Sequence, residues 1–146
     1  MQEEEKRKNK QLDMSSVRNV HFVGIGGCGM SAIAKILIKK GYKVSGSDRE
    51  STPATARLAQ RGAAIFSGHR VENLGDNVDI VIVSSAIPSD NPEWVAARQR
   101  GIRVAKRAEW LGQMMRDRVG IALAGANAIH LETSQANLIG FVQMTR

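Results

Sequence analysis

A glycine-rich segment, Gly24-Ile25-Gly26-Gly27-Cys28-Gly29, constrains the fold of this chain more than any other feature of the sequence. It follows a short apolar and β-branched run, NVHFVGI, which predicts a buried strand. After it, residues 30–38 place apolar side chains at helical spacing, and Gly41 stands where a helix would end. A strand, a glycine turn and a helix in this order are typical of the first unit of a Rossmann-like fold.

The alternation of strand and helix continues to about residue 119. Further strands are predicted at YKVSGSD, AAIFSG, VDIVIVSSA and IRVAKR, and helices at TPATARLAQRG, NPEWVAARQRG and AEWLGQMMRD. Thr52 and Asn91 are candidate N-caps, each followed by a proline at the first helical position. This order predicts an α/β fold in which a Rossmann-like parallel β-sheet carries helices on both faces.

The composition divides the chain into three segments. Residues 1–18 alternate charged and polar residues and predict a solvated tail. Residues 19–119 predict one Rossmann-like domain. The third segment, residues 120–146, contains the start of a predicted sixth strand at VGIALAG, a run that begins at Val119. The residues after this run fit either one amphipathic helix or a frayed tail.

The net charge of +7 raises the question of a nucleic-acid partner. Most basic residues are scattered, and aromatic residues make up only 4%, too few for a base-stacking platform. We therefore expect no nucleic-acid partner, and no membrane partner because no apolar stretch is long enough to cross a bilayer. The single cysteine and the absence of an apolar signal region predict a cytoplasmic location. One loose basic cluster comprises Arg98, Arg100, Arg103, Lys106 and Arg107.

The glycine spacing is that of a loop that holds a diphosphate. Gly24 permits a tight turn, Gly26 lets the backbone approach the phosphates, and Gly29 allows the helix to pack closely on the strand. The helix N-terminus adds free N–H groups and a partial positive charge. Asp48 lies nineteen residues beyond Gly29, where a carboxylate accepts hydrogen bonds from a ribose or a base. The residues alone thus predict a site for a dinucleotide such as NAD.

Four segments, GIGGCGMSAIA, GYKVSGSD, VSSAIPSDNPE and GIRVAKRAEWL, resemble the N-terminal domain of the Mur ligase family. The likeness covers about residues 19–124 and is strongest to the branch that joins L-alanine to UDP-N-acetylmuramate with ATP in peptidoglycan biosynthesis. In that family the domain binds the UDP part of the substrate and no nicotinamide. The resemblance therefore implies UDP-N-acetylmuramate or UDP as the partner.

The resemblance also implies which residues bind that partner. Asp48 would face the uridine, and His69, in the loop after the third strand, is a further candidate contact beside a surface or capping role. The diphosphate would be surrounded by Gly24, Gly26, Gly27, Cys28, Gly29, Met30 and Ser31. The end of the fourth strand would line the same crevice with Ser84, Ser85 and Ala86, although strand termination explains these serines equally well. His21, Trp94 and Trp110 are expected to be structural.

Residues 125–134 depart from the family pattern. The family has an ATP-binding loop of the form G-T-H-G-K-T-T there, whereas this sequence has GANAIHLETS, without the second glycine, the lysine and the threonine that follows it. We therefore expect a chain truncated before a functional ATP loop, which binds the UDP-sugar but does not catalyse ligation alone. It has no catalytic residue, metal ligand or cofactor assigned; ATP and Mg²⁺ belong to the full-length family.

Two alternatives remain open from the sequence. The chain could be an NAD-binding Rossmann fragment of an oxidoreductase, which would need an acid/base residue from another domain. It could also be a stand-alone nucleotide-sensing domain with a basic partner surface. Nothing in the sequence indicates an oligomeric state.

Overall fold

The computed structural model of the protein describes residues 14–115, 129–130 and 141–142. Five strands form its parallel sheet: β1 Asn19–Val23, β2 Lys43–Asp48, β3 Ala64–Ser67, β4 Ile80–Val83 and β5 Arg103–Lys106. Their spatial order is β3-β2-β1-β4-β5, and every neighbouring pair is parallel. The predicted Rossmann-like sheet is confirmed. The order changes direction between β1 and β4, which makes that point the expected place for a ligand.

The predicted helices are present, and local chemistry explains their ends. They are α1 Cys28–Lys39, α2 Pro53–Gln60, α3 Pro92–Gln99 and α4 Arg107–Met115. The Thr52 hydroxyl accepts the Thr55 N–H, and the Thr55 hydroxyl accepts the Thr52 N–H, so α2 begins with a capping box. Glycines with φ of 89°, 101° and 71° follow the first three helices, at Gly41, Gly62 and Gly101.

Helices cover both faces of the sheet. On one face, Leu37 of α1, Leu58 of α2 and Trp110 of α4 pack against apolar residues of the strands. On the other, Trp94 and neighbouring residues of α3 pack over β1 and β4. Strand β4 is buried along its whole length, as its continuous apolar sequence predicts. Trp94 and Trp110 are core residues, as expected.

The core extends further towards the N-terminus than the predicted boundary at residue 19. Val17 is 2% exposed and belongs to the main core cluster, and a 3₁₀ turn at Met14–Ser16 precedes it. Residues 1–13 of the predicted tail lie outside the described residues.

The predicted sixth strand at VGIALAG lies outside the described residues, as does most of the segment from 120 to 146. Two short strands are described there, β6 Ile129–His130 and β7 Phe141–Val142, which pair in antiparallel fashion. At these four residues the chain is extended, unlike the suggested amphipathic helix. Their β-branched and aromatic character favours this conformation.

Candidate functional site

A cleft of about 680 Å³ opens at the carboxyl ends of the strands. It brings together predicted residues that are distant in sequence: Gly24, Gly26 and Gly27 of the glycine loop, Asp48, His69, Ser84 and Ala86. The predicted residues Cys28, Gly29, Met30 and Ser31 are not among those that line it. Ser85 is exposed beside the cleft and does not line it. Further lining residues are Arg49, Thr52, Ile87, Pro88, Asp90, Asn91 and Pro92. The cleft lies where the strand order reverses, the position at which open α/β sheets bind ligands.

The glycine loop turns over the end of β2. Gly24 has a φ of 84°, and the N–H groups of Gly24 and Ile25 both donate to the carbonyl of Ser47, at 2.8 and 3.0 Å. The Ile25 side chain is fully buried above Gly46, where an added Cβ would lie 2.6 Å from Ile25 Cδ1. Gly46 is therefore needed for the loop to cross β2. The sequence analysis had not given it this role, because the contact joins two separate segments.

Asp48 ties the glycine loop to the end of β2. Its Oδ2 accepts the N–H of Gly26 at 2.7 Å, and its Oδ1 accepts the N–H of Arg49 at 2.7 Å. A Cβ added at Gly26 would lie 2.7 Å from Asp48 Oδ2 and 3.2 Å from Thr55 Cγ2. The absence of a side chain at Gly26 therefore makes room for Asp48, a reason beyond the expected approach of a diphosphate.

The first turn of α1 follows Gly27, which lines the cleft. The helix begins at Cys28 after the N-cap Gly27, whose position has no side-chain capping bond. Helix geometry leaves the first N–H groups, those of Cys28, Gly29 and Met30, without an intrahelical acceptor. The Met30 side chain is 2% exposed and packs in the core, so only its backbone can reach a ligand. Cys28 is an exposed free thiol, and the Ser31 hydroxyl donates to the Cys28 carbonyl.

Arg107, which belongs to the loose basic cluster in the sequence, lies against the glycine-rich start of α1. It is the first residue of α4, it is exposed, and its guanidinium occupies the space where a Cβ of Gly29 would be. The expected reason for glycine at position 29 was close packing of helix on strand, whereas the close neighbour is this guanidinium. A cation beside an uncapped helix N-terminus attracts an anion. The position of Arg107 directly after the fifth predicted strand is the sequence feature that indicates its location at the carboxyl edge of the sheet.

The segment after β4 turns tightly. The Ile87 N–H donates to the Ser84 carbonyl at 3.0 Å, and the Ala86 nitrogen lies 3.4 Å from Ser84 Oγ. A Cβ at Gly24 would lie 3.1 Å from Ser84 Cβ, so small residues meet where β1 and β4 end. The Ser84 hydroxyl thus has a local role in the turn while also lining the cleft.

A buried carboxylate connects the sheet to the cleft. Glu93, in the first turn of α3, is 0% exposed. Its Oε1 accepts from His21 Nε2 at 2.6 Å, while its Oε2 accepts from Ser47 Oγ at 2.6 Å and from His69 Nδ1 at 3.0 Å. His69 Nδ1 also lies 2.9 Å from Ser47 Oγ. His21, buried within β1, has the structural position expected for it.

The hydrogen bonds keep Glu93 ionised. Burial raises the pKa of its carboxyl, but the bonds donated by His21 and Ser47, the charge of His21 and the bond from His69 outweigh burial and lower it. An ionised carboxylate carries no hydrogen, so all three neighbours must donate to it. The role of Glu93 is not visible in the sequence, because its partners lie 72, 46 and 24 residues away and no local pattern connects them.

The described residues contain no group of three or more His, Cys, Asp or Glu side chains arranged to hold a metal ion. The departure from the family's ATP loop at residues 125–134 lies outside the described part except at Ile129 and His130. Within the same described residues, no helix is long and apolar enough to cross a membrane.

The parallel sheet, the glycine loop at its switch point and the uncapped helix beside Arg107 define a Rossmann-like domain with a cleft at the carboxyl ends of its strands. Residues 19–119 match the family described as Mur ligase family, catalytic domain. The chain belongs to this family.

Relatives with known names support the same family. The chain is 49% identical over 128 residues to the UDP-N-acetylmuramate–L-alanine ligase of Solidesulfovibrio magneticus, covering 88% of this chain and 27% of that protein. It matches the crystal structure of the UDP-N-acetylmuramate-alanine ligase from Thermotoga maritima with a TM-score of 0.65 and 39% identity, over 68% of this chain and 23% of that one. A murein peptide ligase from Psychrobacter arcticus matches with a TM-score of 0.61 and 26% identity, over 66% and 20% of the two chains. The chain thus spans about a quarter of its curated relative's length.

Proposed function

We propose that this chain is the domain of a UDP-N-acetylmuramate–L-alanine ligase that binds UDP-N-acetylmuramate through its UDP moiety. The observation that carries the proposal is the meeting of the uncapped α1 N-terminus, Gly29 and Arg107 beside the cleft, in a chain 49% identical to a ligase of that name. The similarity to ligases named for a UDP-sugar does not favour an NAD-binding oxidoreductase fragment or a nucleotide sensor.

The diphosphate would lie against the first turn of α1. The N–H groups of Cys28 and Gly29 are available there, and the helix dipole adds a partial positive charge. The Arg107 guanidinium, next to Gly29, supplies a full charge and several donors in a planar arrangement that suits phosphate oxygens. Gly27 places no side chain in this approach, and the absence of a side chain at Gly29 leaves the space that the Arg107 guanidinium occupies.

The nucleoside and the sugar would extend along the rest of the cleft. Each Asp48 oxygen accepts one backbone N–H and has lone-pair capacity left for a ribose hydroxyl or the uracil ring. His69, Ser84 and Ala86 line the remaining walls, with exposed Ser85 next to them. The volume of about 680 Å³ lies within the usual range for small-molecule sites.

The proposed contribution of this chain to the ligase is substrate binding. Ligation requires ATP to activate the carboxylate of UDP-N-acetylmuramate before the amine of L-alanine attacks it. A loop that cradles ATP phosphates uses glycines, a lysine and a hydroxyl, and residues 125–134 contain no lysine. We further propose that the protein is cytoplasmic and takes part in cell-wall synthesis, and through it in cell shape and cell division.

A pair of glycine-to-alanine variants tests the diphosphate position. In Gly29→Ala the new methyl group displaces the Arg107 guanidinium, a flexible side-chain end, so the protein should fold and bind UDP about tenfold more weakly. Gly112→Ala, in α4, is the matched control because its Cβ meets nothing within 4 Å. Calorimetric titration with UDP measures both. Equal affinity of Gly29→Ala and the control would contradict the proposed position.

A further inference from the structure

We propose that Glu93 is a positioning residue for ligand binding: it fixes the hydrogen of the His69 ring on Nδ1 and thereby presents Nε2 to the ligand. This inference rests on the proposed function, because it concerns the same cleft. It assigns a role to a buried carboxylate that itself does not line the cleft.

The hydrogen-bond pattern determines the hydrogen position on His69. Glu93 is ionised and can only accept, and the single hydroxyl hydrogen of Ser47 points to Glu93 Oε2 at 2.6 Å. His69 Nδ1 faces both of these groups, at 3.0 Å from Glu93 Oε2 and 2.9 Å from Ser47 Oγ. Neither neighbour can give it a hydrogen, so Nδ1 must carry one itself. In either protonation state of the ring, Nε2 is then the nitrogen left for a ligand.

His69 is the member of the Glu93 hydrogen-bond network whose side chain reaches the cleft. The side chain of Glu93 is 0% exposed, as are His21 and Ser47, whereas the His69 side chain is 15% exposed and lines the cleft. Glu93 is in turn held on its other oxygen by His21, whose Nδ1 lies 2.8 Å from Ser45 Oγ. The ring of His69 is therefore connected through Glu93 to His21 of β1 and Ser47 of β2.

Both carboxylate oxygens are needed for this arrangement. Oε1 accepts a hydrogen bond from His21, and Oε2 accepts hydrogen bonds from Ser47 and His69. Glu93→Gln keeps the size of the side chain but has one oxygen, so its NH₂ group faces either Ser47 and His69 or His21, which then has to accept through Nε2. This variant should loosen the ring of His69 while filling the same space.

A double-mutant cycle on the full 146-residue chain distinguishes two roles of Glu93: positioning of the His69 ring, and stabilisation of the fold independent of His69. Glu93→Gln and His69→Ala should each weaken UDP-N-acetylmuramate binding about tenfold. The double variant should be no weaker than either single one, because Glu93 acts through His69. Glu72→Gln, an exposed glutamate in the turn before β4, should bind like the unmodified chain. The proposal would be overturned if the fold-losses of the two single variants multiplied in the double variant. It would also be overturned if Glu93→Gln bound with unchanged affinity.

Heteronuclear NMR of the ligand-free, unmodified chain gives a second readout that needs no Glu93 variant to fold. With isotopically labelled histidine, the His69 signal is identified by its loss in His69→Ala. In the form of the ring that carries a single hydrogen, we expect that hydrogen on Nδ1. A hydrogen on Nε2 would overturn the proposal. If Nδ1 carries the hydrogen but the chain does not bind UDP-N-acetylmuramate, the proposed function fails while the hydrogen position stands.

Discussion

The Oδ2 atom of Asp48 accepts the N–H of Gly26 at 2.7 Å, and this bond joins the end of β2 to the glycine loop. The two residues depend on each other, since a Cβ at position 26 would lie 2.7 Å from the same oxygen. Asp48 was expected from sequence to face a ligand directly. The structure adds a second role, in which the carboxylate organises the loop that the ligand would meet.

Gly26→Ala should destabilise the protein by about 1–2 kcal/mol, because the added methyl group must push the Asp48 carboxylate away from its backbone donor. Chemical denaturation monitored by circular dichroism measures the free energy of unfolding. Gly27→Ala is the comparison for stability, since its Cβ would meet only ordinary contacts at 3.6 Å or more, and it should cost a few tenths of a kcal/mol. An equal loss of unfolding free energy in both variants would show that the bond from Gly26 N–H to Asp48 does not contribute to stability.

Asp48→Ala should weaken binding of UDP and of UDP-N-acetylmuramate by a similar amount, about 1–3 kcal/mol, because both ligands share the part that the loop and Asp48 would hold. Isothermal titration with each ligand measures the two losses. A loss confined to the sugar-bearing ligand would place Asp48 at the muramate end and reverse the proposed orientation.

Local chemistry made most of the fold predictable. Thr52 and Asn91 were assigned as caps from residue type and the prolines behind them, and both accept the expected backbone N–H groups. Gly41, Gly62 and Gly101 were assigned as helix ends, and all three have the positive φ that favours glycine. These features depend on a few consecutive residues, which is why a single sequence reveals them.

The parts of the site that were missed depend on contacts between distant segments. Glu93 is separated by 72 residues from His21, and the Asn-Pro-Glu segment shows only a helix start. Arg107 belongs to a stretch rich in basic residues, and only the placement of α4 after β5 brings it to Gly29. Gly46 appears as an ordinary strand glycine until Ile25 is placed above it. Sheet order, which the sequence did not specify, determines all three contacts.

Asp79 should make the stability depend on pH in the acidic range. Its Oδ2 accepts the N–H groups of Arg18 and Asn19 at 2.9 and 2.8 Å, and these bonds hold the pKa of the carboxyl below its ordinary value. A lowered pKa stabilises the folded state above the ordinary value of 3.8, and this contribution is lost as the pH falls through the folded-state pKa. Asp79→Asn should therefore lower the melting temperature near neutral pH and approach the unmodified protein at low pH.

Thermal unfolding between about pH 7 and pH 3 measures this difference. The control is Asp76→Asn, an exposed carboxylate in the same loop, which should leave the pH profile unchanged. A difference between Asp79→Asn and the unmodified chain that stays constant with pH would contradict the role of the Asp79 charge.

The isolated chain should not join UDP-N-acetylmuramate to L-alanine. Residues 125–134 lack the lysine and the second glycine that an ATP-phosphate loop uses, and they place Ile129 and Leu131 in that segment. A phosphate-release assay with both substrates, ATP and Mg²⁺ measures turnover. Phosphate release above a no-enzyme blank, retained through repurification, would reveal a site for ATP elsewhere in the chain.

Selectivity between UDP-N-acetylmuramate and NAD⁺ tests the central claim most directly. Both ligands contain a diphosphate, so a glycine loop alone does not distinguish them, whereas membership of the Mur ligase family does. Calorimetric titration of the 146-residue chain with each ligand, and with UDP as a reference, is the measurement. The account predicts saturable binding of UDP-N-acetylmuramate and UDP and no measurable heat with NAD⁺. Binding of NAD⁺ more tightly than UDP would contradict it.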